Sequence, residues 1–140
     1  MTASEARARL AGARIARLAT ADSGGRPHVV PCTFALLGDA TIVSAVDHKP
    51  KRTTALKRLA NIAANPRVAV LADHYSDDWQ ALWWARADGA ARVVAPGDEP
   101  ALRAAAVDAL VSRYGQYRER PPEGPLVVIE VLRWSGWSAA

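Results

Sequence analysis

The chain is poor in several residue types. It has one cysteine, Cys32, one phenylalanine, Phe34, and one methionine. A single cysteine excludes an internal disulfide and a zinc site built on several thiolates. It agrees with a reducing, cytoplasmic compartment. No apolar run approaches the roughly 18–20 residues that a membrane-spanning helix needs, so no membrane partner is expected. Thr2 to Arg14 alternates small and basic residues and lacks an apolar signal core. There is no glycine-rich phosphate loop or dinucleotide fingerprint, no internal repeat and no long linker. The expectation is one domain over residues 1–140, long enough for one sizeable core.

What the chain does have is ordinary globular chemistry with a basic excess. Hydrophobic residues make up 50% and charged residues 23%, too apolar for a disordered chain. The net charge of +4 and a pI near 9.7 suit an anionic ligand. The excess is concentrated in one stretch, Asp47 to Arg67. Between Lys49 and Arg58 stand five basic residues, Lys49, Lys51, Arg52, Lys57 and Arg58, with no acid among them. The second half of the stretch, from about Ala55 to Ala64, has helical periodicity. Leu56, Leu59, Ala60 and Ala63 form an apolar stripe, and Asn65-Pro66 ends it. Lys57 and Arg58 then fall in the first turn, where the helix dipole disfavours cations unless an anion offsets them. A phosphate site explains this; a solvated basic face is the ordinary alternative.

In chain order, residues 3–13 read as an amphipathic helix, with Ala6, Leu10 and Ala13 on one side. Arg14 to Thr20 is a strand, and Asp22 to Pro27 a turn. His28 to Leu37 is one strand interrupted by Pro31, which places it at an edge or a bulge. Gly38-Asp39 turns the chain into a strand over Ala40 to Val46. Strands follow at Arg67 to Asp73, Leu82 to Val94 and Leu126 to Trp137, with a bulge or bend expected at Gly89. A helix capped by Asp98 runs to about Tyr114, burying Leu102, Ala106, Ala109 and Leu110. About six strands with short connections and three flanking helices imply a mainly β, α+β domain, an antiparallel closed or split barrel.

Hydrolytic chemistry finds little support. His28 and Cys32 are four residues apart on a strand, roughly 13 Å, too far for a nucleophile–base pair. His28, His48 and His74 have no metal-ligand spacing, so no metal is expected. The basic residues cluster instead of interleaving with aromatics, which argues against nucleic acid. Five tryptophans accompany the lone phenylalanine. Trp83 and Trp84 are adjacent on a strand and must face opposite sides, one to the core and one to an interface or ligand.

Together, Gly-Arg-Pro-His-Val-Val-Pro-Cys on the second strand, Arg-Leu-Ala-Asn-Ile-Ala-Ala-Asn-Pro-Arg-Val after the basic loop, Asp-His-Tyr, Leu-Trp-Trp-Ala-Arg and the closing Arg-Trp-Ser-Gly-Trp resemble one superfamily. It is the pyridoxamine 5′-phosphate oxidase-like group of flavin-binding split barrels. The Asp-His-Tyr and Leu-Trp-Trp segments are similar to its actinobacterial coenzyme F420-dependent branch. The resemblance implies a six-stranded antiparallel split β-barrel of FMN-binding type with flanking helices, forming a homodimer with a cofactor groove between subunits. It places the cofactor phosphate on Lys49, Lys51, Arg52, Lys57 and Arg58. The family's helix lysine falls at Arg58 here, with Lys57 beside it, and which of the two makes the contact is open. Val30, Pro31 and Cys32 would lie along the ring, flanked by Ser44, Ala45 and Val46. The implied activity is hydride transfer between F420, or alternatively FMN, and a small organic substrate, with His48 or Tyr75 as conceivable proton sources. A non-catalytic F420-binding protein is a further alternative.

Overall fold

The computed structural model describes residues 1–46 and 52–139, with backbone only at 52–56. Helix α1 (Ala3–Gly12) opens with a capping box in which the Thr2 hydroxyl accepts from the Glu5 N–H and Glu5 reaches back to the Thr2 N–H. It buries Ala6 and Leu10 as the periodicity predicts. Strand β1 (Ala16–Ala21) pairs with β2 (Pro27–Cys32) through a turn that Asp22 organises by accepting from the N–H groups of Gly24 and Arg26. Then come β3 (Ala35–Leu37), β4 (Thr41–Ala45), α2 (Arg52–Ala64), β5 (Arg67–His74), β6 (Trp83–Val94), α3 (Pro100–Arg113), α4 (Gly115–Glu119) and β7 (Leu126–Ser138).

The strands form one antiparallel sheet in the order β2-β1-β5-β6-β7-β4-β3. It has seven strands instead of six. The extra one arises because the expected strand over His28 to Leu37 is broken at Thr33-Phe34, giving β2 and β3. These two are the opposite edges of the sheet although two residues separate them. The sheet must therefore curl until its edges approach, yet no ladder joins them, so the barrel is split and not closed. The backbone of that gap is satisfied by side chains from elsewhere in the chain. The Tyr114 hydroxyl accepts from the Phe34 N–H at 3.1 Å and lies 3.0 Å from the Phe34 carbonyl and 2.9 Å from that of Arg14. Ser44 Oγ donates to the Thr33 carbonyl at 2.6 Å. Buried backbone groups need partners, and here hydroxyls stand in for the missing strand pairing. Pro31 sits on edge strand β2, where the absent N–H costs nothing.

The curl divides the core in two. Leu10, Leu18, Phe34, Ile42, Ile62 and Val70 fill the barrel. Val43, Val94, Leu110, Leu126 and Val128 pack under α3. Helix α3 buries Ala106 and Leu110, with Leu102 and Ala109 half-buried against this second cluster. Its N-cap is Glu99, not Asp98; Glu99 takes φ 47° while its carboxylate pairs with Arg92 at 2.8 Å. The bulge expected at Gly89 is present, and Leu132 of β7 is the unpaired residue. A Cβ at Gly89 would overlap the Glu130 carbonyl, so glycine is required for the strands to approach there.

Candidate functional site

Helix α2 lies on the barrel side of β1 and carries the described part of the basic stretch. It begins at Arg52, earlier than the periodicity indicated, so Lys57 and Arg58 fall in its second turn and not its first. The dipole conflict read from the sequence is correspondingly weaker. The packed stripe is also displaced. Of the expected stripe, Leu59 is half-buried against the barrel core but Ala60 and Ala63 are exposed, whereas Arg58, Asn61, Ile62 and Asn65 are buried or half-buried. These four are spaced i, i+3, i+4, i+7 and define the face turned to the sheet. Three of the four are polar, which is why an apolar count missed it.

That face meets β6 and the inner row of β1, across from β2. Asn61 Nδ2 donates to Thr20 Oγ1 at 3.0 Å, and both residues are buried. His28 is the cross-strand partner of Thr20, and its Nδ1 is buried with no hydrogen-bond partner. Arg58 Nε is likewise buried and unpartnered. Among the described residues neither Lys57 nor Arg58 joins an ion pair. Burial pushes the Cys32 thiol above its ordinary pKa, partly offset by the positive charge of Arg58 and by the Ser44 hydroxyl. The Asp22 carboxyl is held below its ordinary value, first by the Arg26 N–H and more weakly by the charge of Lys57. Arg58 thus acts on the barrel interior and Lys57 on the exposed turn.

The residues expected at a cofactor site divide accordingly. Cys32 and Ser44 come together, with half-buried Val30 on the same inner row, and the charge of Arg58 reaches Cys32. Pro31 points the other way and is exposed. Ala45 packs in the cluster under α3, on the opposite side of β4 from Ser44. Lys49 and Lys51, like His48, lie outside the described residues, and Arg52 is described by its backbone alone. A buried guanidinium nitrogen without a partner, on a helix with no acid paired to it, fits an anionic group such as a cofactor phosphate.

The outer sheet face holds a second feature that sequence reasoning missed. Leu71 and Asp73 of β5 pair across to Arg86 and Trp84 of β6. With Tyr75 they line a groove of about 360 Å³. Two alternating pairs on neighbouring strands were legible in principle, but only the register shows that they coincide. Trp83, on the opposite face, packs with Trp134 against the barrel core. Among the described residues no group of three or more His, Cys, Asp or Glu is placed to hold a metal, and no helix is long and apolar enough to cross a membrane.

The sequence profile described as pyridoxamine 5′-phosphate oxidase matches residues 2–138. A comparison with curated proteins gives no match. Among solved structures, the chain is similar to an FAD-binding protein from Mesorhizobium loti, at 24% identity and TM-score 0.72, covering 97% of this chain and 94% of that one. It is similar to the FAD-binding protein from Mycobacterium smegmatis at 20% identity and TM-score 0.63, covering 98% and 94%. It is also similar to HutZ, the haem storage protein from Vibrio cholerae, at 18% identity and TM-score 0.69, covering 96% and 90%. At these identities the likeness speaks to the fold.

Proposed function

We propose, from the premise that this chain belongs to the pyridoxamine 5′-phosphate oxidase family, that it is an oxidoreductase using a flavin-type cofactor. It would work as a homodimer on a small organic molecule. The observation that carries this reading is Arg58: a cation on the sheet-facing side of α2, its Nε buried and unpartnered, whose charge reaches the Cys32 thiol. Arg58 would hold the cofactor phosphate, with Lys57 contributing charge from the helix exterior. Val30 and Cys32 would border the ring, and Ser44, fixed by its bond to Thr33, would keep that border rigid. When bound, the cofactor supplies hydride transfer, and the chain binds it, orients it and excludes water. Nothing in the described site resembles a nucleophile with its base, which agrees with chemistry residing in a cofactor.

Within that class the reading is coenzyme F420. The surplus of Lys49, Lys51 and Arg52 beyond a single phosphate grip suits the additional carboxylates of its tail. A flavin nucleotide is the second reading, favoured by the similarity to two structures described as FAD-binding. Titration of the purified protein with F420, FMN, FAD and haemin decides between them by cofactor fluorescence or absorbance. Tightest binding of F420 is the expected result. Tighter FMN or FAD binding transfers the assignment to a flavin enzyme, and preference for haemin removes the oxidoreductase reading. Turnover with redox dyes separates an enzyme from a non-catalytic binder.

A further inference from the structure

We infer that the break between β2 and β3 is a hinge, held shut by the tyrosines at the α3–α4 corner, whose opening uncovers the end of β2 where Cys32 lies. The two strands are opposite edges of the sheet, joined by Thr33 and Phe34 alone. Among the described residues, no backbone–backbone bond outside the helices and strands involves either residue. The bonds that hold them run to side-chain hydroxyls. Ser44 Oγ donates to the Thr33 carbonyl at 2.6 Å, and Thr33 Oγ1 lies 2.7 Å from the Tyr117 hydroxyl. Tyr114 accepts from the Phe34 N–H, which leaves its own proton for two carbonyls, those of Phe34 at 3.0 Å and Arg14 at 2.9 Å. A hydroxyl has one proton, so it bonds one of them at a time. With the proton on Arg14 the break has one bond fewer.

The corner that supplies these hydroxyls is stiff. The Tyr114 and Tyr117 rings meet edge to face, 5.7 Å between centroids, and both are buried. Arg113 stacks 5.0 Å from the centre of the Phe34 ring and 5.4 Å from that of Tyr114. Its guanidinium also donates to the carbonyls of Ala11 and Ala13 at the end of α1. Phe34 belongs to the barrel core and Tyr114 to the cluster under α3, so the corner clasps the two cores together. Motion at the break therefore comes from release of the few hydroxyl bonds, not from bending of the corner. Cys32 immediately precedes the break, and the Ser44 hydroxyl that holds Thr33 also bonds the thiol. If Val30 and Cys32 border a cofactor ring, the clasp sets the position of that border; this consequence alone rests on the function proposed above.

Alkylation of Cys32 by iodoacetamide at one fixed pH, followed by intact mass at rising urea below the unfolding transition, tests the hinge. Local opening exposes little surface, so its rate is nearly flat in urea, whereas reaction through global unfolding climbs steeply. The wild-type rate is expected to be flat. Tyr114→Phe should react about tenfold faster and stay flat, the effect of one lost buried hydrogen bond. Thr33→Val, which breaks only the bond to Tyr117, should also react faster on a flat profile, and it carries the test if Tyr114→Phe does not fold. Thr41→Val, whose hydroxyl donates to Glu130 at the surface, should match the wild type. Rates that climb from the first increment of urea overturn the inference, as do wild-type rates in both Tyr114→Phe and Thr33→Val. The measurement uses no cofactor, so its failure is separate from failure of the cofactor assignment.

Discussion

Arg58 and Lys57 are neighbours in sequence with different surroundings. Arg58 is half-buried on the sheet-facing stripe of α2, whereas Lys57 is exposed. If Arg58 grips a phosphate, Arg58→Ala should weaken cofactor binding by about 1.5–3 kcal/mol, or roughly 10–150-fold. Lys57→Ala should cost no more than about threefold, as expected of a solvated charge. Fluorescence titration of the two variants measures both, and equal losses would place the phosphate elsewhere. Cys32 makes a second prediction at this scale. Burial raises its pKa, so the folded protein holds the thiol proton more tightly than the unfolded chain does. Its contribution to stability is therefore complete below the unfolded thiol pKa of about 8.5 and is lost as pH rises from there through the folded value. Urea unfolding from neutral to alkaline pH should show this loss, and Cys32→Ala should lack that component. The same protonation makes Cys32 react more slowly with iodoacetamide than a free cysteine.

At the scale of elements, α2 is fastened to β1 by a buried polar pair where an apolar contact was expected. Asn61 donates to Thr20, and both are at most 4% exposed. Asn61→Ala strands a buried hydroxyl and should destabilise the protein by about 1–3 kcal/mol. In a Thr20→Val background the same replacement should cost less, because no hydroxyl is left unpartnered. Chemical denaturation of the four proteins closes this cycle; equal costs in both backgrounds would show that the contact does not anchor the helix. The sequence identified α2 and its end at Asn65-Pro66, but not its sheet-facing side. Apolar periodicity locates a face only where burial is apolar, and here Arg58, Asn61 and Asn65 occupy three of the four positions. The break between β2 and β3 was hidden similarly. Thr33 and Phe34 have ordinary strand composition, and the chain leaves the ladder there because Tyr114 and Ser44, distant in sequence, take over its backbone bonds.

At the scale of the molecule, the outer sheet face leaves Val29 61% and Trp137 43% exposed, among charges of both signs from Arg17, Asp73, Asp88 and Arg133. It is the surface that the proposed homodimer would bury. Sedimentation at micromolar concentration should give twice the 15.0 kDa chain mass, and Val29→Glu should shift it toward monomer with the circular dichroism unchanged. A monomeric wild-type protein would sink the dimer. By itself the sequence located the three long helices and the main strands, an edge or bulge at Pro31, the bulge at Gly89, the opposed faces of Trp83 and Trp84 and the family, but not the short helix α4. All of these follow from local backbone preference, from periodicity or from motif order along the chain. Only the tertiary structure decided that the sheet has seven strands with its edges unpaired, that Arg58 turns inward while Lys57 stays in water, that Pro31 and Ala45 leave the site that Cys32 and Ser44 share, and that Asp73 and Arg86 meet in one groove. Each of these depends on strand register and on contacts between residues tens of positions apart, which no local pattern encodes.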